Sequence, residues 1–108
     1  MINTILTASG IPYRQGRYFD PPATTYAIYF DDVEVDGADG LEALILRHSA
    51  TVELYAPTQD EAAEGEAAIE AQLLAAKCAW AKQARYWLQN VQRYQVVYEF
   101  DYNEKRRA

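Results

Sequence analysis

The sequence predicts an α+β fold: a four-stranded antiparallel sheet, made of two hairpins and packed by one main helix, plus a short N-terminal helix. Residues 1–108 read as a single domain. Three observations carry this. In "YQVVYEFDYN" (94–103) the side chains Tyr94, Val96, Tyr98, Phe100 and Tyr102 fall on alternate positions, the period of a strand with one apolar face. "TTYAIYFDDVEV" and "ATVELYA" repeat that alternation with β-branched and aromatic residues. "TQDE" (58–61) is a capping box that opens an Ala- and Glu-rich run.

The elements follow in order. "INTILTAS" (2–9) places Ile2, Ile5 and Leu6 at helical spacing and ends at Gly10, a C′ glycine. "GIPYRQGRYFDPP" carries two glycines and three prolines and reads as an irregular arm. Its Tyr13, Tyr18 and Phe19 need something to pack on. A first strand is expected over Thr24–Val35, with "DGADG" (36–40) as a turn, and a second over Ile45–Ala56, ended by Pro57. The helix after Thr58 has Asp60, Glu61 and Glu64 near its positive end and a stripe of Ile69, Leu73 and Ala76 to lay on a sheet. Gln83–Leu88 and Tyr94–Tyr102 form the second hairpin, and "EKRRA" is a short basic tail. Val96, Tyr98 and Phe100 are expected in the core, Tyr94 and Tyr102 at a subunit contact.

Composition narrows the function. The formal net charge is −6, from 16 acidic and 10 basic residues, which opposes general nucleic-acid binding. Cys78 is the only cysteine, so no disulfide forms within the chain, and a buried structural thiol is expected. No stretch approaches the ~20 apolar residues of a membrane helix, and no signal peptide is recognised. A soluble protein made in a cytoplasm is expected, with no membrane partner.

Chemical motifs are sparse. Asp32, Glu34, Asp36 and Gly37 resemble the start of a calcium loop, but Ala43 stands where a bidentate Glu is needed, so no metal is expected. His48 and Ser49 are adjacent, yet on a strand they point to opposite faces and make no triad. No glycine-rich phosphate loop is present, and no cofactor or catalytic residue is expected. The aromatic strand could stack bases as an RNA-recognition module does, but Glu99 and Asp101 would repel phosphate. An assembly role fits better: interfaces favour Tyr, Trp and Phe.

Over most of its length the chain resembles the tail terminator, or tail completion, proteins of long-tailed bacteriophages and prophages, also described as minor tail or head–tail joining proteins. "GIPYRQGRYFDPPATTYAIYF" looks like their N-terminal signature, with Pro22, Tyr26 and Tyr29 at its key places and two extra residues before Tyr26. Val52, Glu53, Leu54 and Tyr55 look like their central strand before a helix, and "YQVVYEFDY" like their closing strand. The resemblance implies a structural, non-enzymatic subunit in the virion tail, assembled in the host cytoplasm. It implies a homo-oligomeric ring, usually a hexamer, that caps the tail tube and joins it to the head–tail connector protein. It also implies that Tyr13, Tyr18 and Phe19 of the arm, together with Tyr29, Asp31, Asp32, Asp36 and Asp39 of the first hairpin, meet neighbouring subunits or the tube protein. The alternatives are a head–tail connector or neck component of another ring, and a nucleic-acid-binding module.

Overall fold

The computed structural model describes residues 1–39 and 43–107, with the backbone alone for residues 36–39, 43 and 107. The order is α1 (Ile2–Ser9), β1 (Tyr13–Gln15), β2 (Tyr26–Asp39), β3 (Ala43–Ala56), α2 (Gln59–Ala75), β4 (Ala81–Lys82), β5 (Tyr86–Leu88) and β6 (Arg93–Arg107). The fold is mixed α+β with a six-stranded, mostly antiparallel sheet and two helices. This corrects the expected four-stranded sheet under one main helix.

The correction has physical causes. The strands run in the order β1-β2-β3-β6-β4, and β5 also pairs with β6. β6 therefore lies beside β3 along its whole length, from Ala56↔Tyr94 to Ala43↔Arg107. The basic tail continues the ladder because residues 103–107 contain no proline and face a β3 segment that needs a partner. β2 likewise runs through the expected turn to Asp39, with a bulge between Val35 and Gly37. The arm contributes β1, which pairs parallel with β2 at Tyr13↔Ala27 to Gln15↔Tyr29. The strand expected over Gln83–Leu88 shrinks to β5, and a separate two-residue strand, β4, lies just before it. Between them Arg85 turns to Glu66 on α2, its Nε 2.7 Å from Glu66 Oε2.

Register places Ala27, Leu54 and Val96 side by side on one sheet face, then Tyr29, Val52 and Tyr98, then Asp31, Ala50 and Phe100. Both helices cover this face. Ile2, Ile5 and Leu6 of α1 and Ile69 and Leu73 of α2 join Val52, Leu54, Val96, Tyr98 and Phe100 in one buried cluster. Thr58 caps α2, its Oγ1 accepting from the Glu61 N–H at 3.1 Å. The buried stripe of α2 is Ala62, Gly65, Glu66, Ile69 and Leu73; Ala76 lies exposed past its end. Cys78 is buried just after α2.

Gly65 lets α2 approach the sheet. A Cβ there would lie 3.0 Å from Leu54 Cδ2 and 3.2 Å from Leu54 Cδ1. Gly65→Val is expected to destabilise the protein by ~1–3 kcal/mol through overpacking, despite the better helix former. Urea unfolding measures it; an unchanged midpoint would show that Leu54 rotates aside without cost.

Candidate functional site: the arm and the three-stranded finger

Two regions lie outside the helix-covered core. One is the finger, where β2, β3 and β6 run on beyond the helices and give the molecule its 50 × 28 × 21 Å extents. The other is the arm between β1 and β2.

The finger is built around His48. On the helix-facing side of the sheet, Val33, His48 and Tyr102 lie across from one another, followed by Val35, Leu46 and Glu104. The imidazole is buried, its side chain 8% exposed. Its Nδ1 lies 3.0 Å from both oxygens of Asp31, and its Nε2 lies 2.8 Å from Glu104 Oε1. The ring stacks on Tyr102, centroids 4.3 Å apart and planes at 9°. The Tyr102 hydroxyl donates to Asp31 Oδ2 at 3.3 Å. Burial, followed by the nearby Asp31 charge, pushes this phenol up to about 12. The His48 hydrogen bond, then that of Arg106, holds the Glu104 carboxyl below its ordinary value. One side chain of β3 thus ties β2 to β6. With a carboxylate on each ring nitrogen, neither nitrogen is left to act as base toward a nucleophile, and Ser49 points to the other face. Among the described residues no three His, Cys, Asp or Glu side chains are grouped to hold a metal ion.

The arm divides its aromatics. Tyr13 faces the core side, packed against the buried cluster, and its hydroxyl shares a 2.6 Å hydrogen bond with Thr7 Oγ1 of α1. Tyr29 is its neighbour, rings 5.9 Å apart. Tyr18 folds over the opposite face, edge-on to Tyr26 at 5.3 Å, and Tyr26 stacks on Tyr55 at 5.1 Å. Phe19 remains 89% exposed. Its ring carries the Arg17 guanidinium at 4.5 Å, while Arg14 lies 5.8 Å from the Tyr18 ring. Arg14, Arg17, Tyr18, Phe19 and Asp20 line a concavity of about 450 Å³.

The structure thus separates the residues singled out from the sequence. Tyr13, Tyr18 and Tyr29 pack within the subunit, Asp31 turns to His48, and Phe19 and Asp32 face solvent. The backbone of Asp36 and Asp39 belongs to β2, and their side chains lie outside the described residues. Sequence reasoning missed the His48–Asp31–Glu104–Tyr102 cluster. Its signal was present in principle: a lone histidine on the inward parity of a strand needs polar partners when buried, and those partners come from strands 17 and 56 residues away.

A second charged cluster joins α2 to the β4–β5 segment. Glu66 is buried and holds Lys82 Nζ and Arg85 Nε, each at 2.7 Å. Glu70 takes Lys82 at 2.8 Å and the Tyr98 hydroxyl at 2.7 Å. Every charged member is paired and Tyr98 closes the network from the core, so the arrangement is structural.

No protein-family model and no curated protein sequence matches this chain.

Proposed function

We propose that this chain is a ring-forming assembly subunit of the tail terminator type. It caps the tail tube of a long-tailed phage, in a ring of about six copies on the family resemblance, and joins the tube to the head connector. It works in the virion tail, after assembly in the host cytoplasm. The carrying observation is the apolar surface on and beside β2. Phe19 of the arm is exposed, and so are Phe30 on one face of β2 and Val33 and Val35 on the other, along an edge where β1 covers only three residues of β2. Large apolar side chains left exposed on both sides of an unpaired strand edge favour an edge that is covered in the working state. A closing ring needs a head-to-tail interface between unlike surfaces, and one subunit with an aromatic arm and a projecting finger supplies two. The role is steric and needs no catalytic residue or cofactor.

The experiment is co-assembly with tail tubes, read as ring mass and tube length. Phe19→Ala is expected to weaken association at least ~10-fold while the melting temperature holds, because the ring is exposed yet suited to anchor an interface. Unchanged assembly, or a collapsed melting temperature, would remove the arm from the interface. A second reading, a nucleic-acid-binding module, draws on Arg14 and Arg17 beside Tyr18 and Phe19. It requires salt-dependent binding to single strands, which the net charge of −6 opposes.

A further inference from the structure

We propose that the open edge of β2 is a strand-docking site whose occupant is the C-terminal half of β6 in a second copy of this chain. The two strands would pair in parallel, from one subunit's finger to the next. This gives the proposed ring its interface and rests on that reading.

The edge is opened by β1. Parallel pairing stops at Gln15↔Tyr29. The Gly16 N–H still donates to the Tyr29 carbonyl at 3.0 Å, and at φ +80° Gly16 turns the chain away. Beyond Tyr29, β3 is the only described strand beside β2. The Ala27 N–H points outward to the Pro12 carbonyl, and the Tyr29 carbonyl points outward to Gly16. By strand alternation the N–H and C=O groups of Asp31, Val33 and Val35 point outward as well. Natural edges of this kind are guarded by charged side chains, proline, bulges or short length. Residues 30–35 contain neither proline nor lysine, and their guards, Asp32 and Glu34, are both acidic, so they exclude an acidic strand and admit a basic one.

The side chains bordering this edge define its partner. On one face stand the exposed Asp32 and Glu34, beside a partly exposed Phe30; on the other stand Val33 and Val35, 49% and 64% exposed. A second β2 is a poor partner, because Asp32 and Glu34 would meet their own copies, and like charges across a pair are unfavourable. The fitting strand is basic. The longest basic run in the chain is Lys105–Arg107, and it lies on β6, which beyond Glu99 has β3 as its only described neighbouring strand.

The geometry also agrees. β2 and β6 are each antiparallel to β3, so they run in the same direction with their faces in common. A second finger set beside the first, pointing the same way, therefore presents β6 to β2 in parallel. In level register Asp32 would meet Asp101 and Glu34 would meet Asn103; an offset of about two residues places Asn103 and Lys105 beside Asp32 and Glu34, and Glu104 and Arg106 beside Val33 and Val35. A contact between two different edges repeats head to tail, as a closed ring requires.

The test is charge reversal with rescue on the full chain. Sedimentation velocity follows association across a wide concentration range, and circular dichroism checks that each variant folds. Asp32→Lys with Glu34→Lys is expected to raise the association midpoint at least ~100-fold. Lys105→Glu with Arg106→Glu is expected to do the same, and mixing the two variants to restore association between them. Val33→Pro removes one outward N–H without touching the β2–β3 ladder and is expected to weaken association without lowering the melting temperature. Variants that associate as wild type does would overturn the strand pairing and leave the ring reading standing on another surface. A wild-type chain that stays monomeric at every concentration also overturns the pairing; the ring reading is then decided separately, by co-assembly with tubes.

Discussion

Tyr98→Ala is expected to destabilise the protein by ~3–5 kcal/mol, the range for truncating a large buried aromatic. Tyr98 is fully buried at the centre of β6, between Val52 of β3 and the short β4. Its loss opens a cavity beneath α2 and orphans one contact of Glu70. Burial, reinforced by the Glu70 hydrogen bond, holds the Tyr98 hydroxyl protonated far above the ordinary tyrosine range, so it donates throughout the working pH range. Tyr98→Phe separates the two contributions: it keeps the packing and loses only the hydrogen bond to a charged acceptor, ~1.5–3 kcal/mol. Urea unfolding of both variants gives the comparison. Equal losses for Phe and Ala would mean that the polar network, not the packing, fixes the sheet to α2.

The same network sets the behaviour in acid. Burial alone would raise the Glu66 and Glu70 carboxyls, but their bonds to Arg85, Lys82 and the Tyr98 hydroxyl outweigh it and hold both below the ordinary value of 4.5. A carboxylate lowered on folding stabilises the fold above its unfolded value, and that contribution is lost as pH falls through the lowered one. Lys82 is the mirror case. Burial lowers it, Glu66 and Glu70 raise it more, and it ends above 10.5. Its contribution is complete below 10.5 and is lost as pH rises through the raised value.

How far the sequence reveals this molecule depends on how local each cause is. Thr58 and Glu61 mark the start of α2 because a cap is a contact three residues long. Ile2, Ile5, Leu6 and Gly10 mark α1 for the same reason, and Gly10 closes it at φ +77°. The alternation in β6 correctly assigns Val96, Tyr98 and Phe100 to the core, since the period of a strand is a property of its own residues. What fails is what depends on partners. β1 is three residues in a proline-rich arm, and only the parallel edge of β2 makes it a strand. The extension of β6 through Lys105 and Arg106 is dictated by β3, which no pattern in "EKRRA" reports. The division of Tyr13, Tyr18 and Phe19 into two packed rings and one exposed ring follows from where α1 and Tyr26 lie, which spacing along the arm does not encode.

His48→Ala is expected to destabilise the finger by ~1–3 kcal/mol, more than any change at an exposed finger position, because it removes the hydrogen-bond partner that Asp31 and Glu104 share and leaves a hole beside Tyr102. Among the described residues Asp31 would keep the Tyr102 hydroxyl and Glu104 would keep Arg106, while Tyr102 would lose the nearer of its two stacked rings. The loss should be local. Hydrogen exchange is expected to accelerate at residues 31–35, 46–49 and 101–105, while amides in α2 and the Val52–Val96 region keep their protection. Glu104→Gln breaks the cluster from the other side: it removes the charge and leaves a weaker amide acceptor for Nε2, so a smaller change in the same residues is expected. If exchange quickens evenly across the whole sheet, His48 is one core contact among many. If it quickens only in the finger, β2, β3 and β6 beyond the helices form a unit with its own stability, held at its base by one imidazole. That distinction matters for assembly. A finger that must offer β2 and β6 as straight edges to neighbouring subunits has to keep three strands in register where neither helix covers them. The His48 cluster supplies a cross-link between all three where the helix cover ends, with Tyr102 still packed against the core at its inner side.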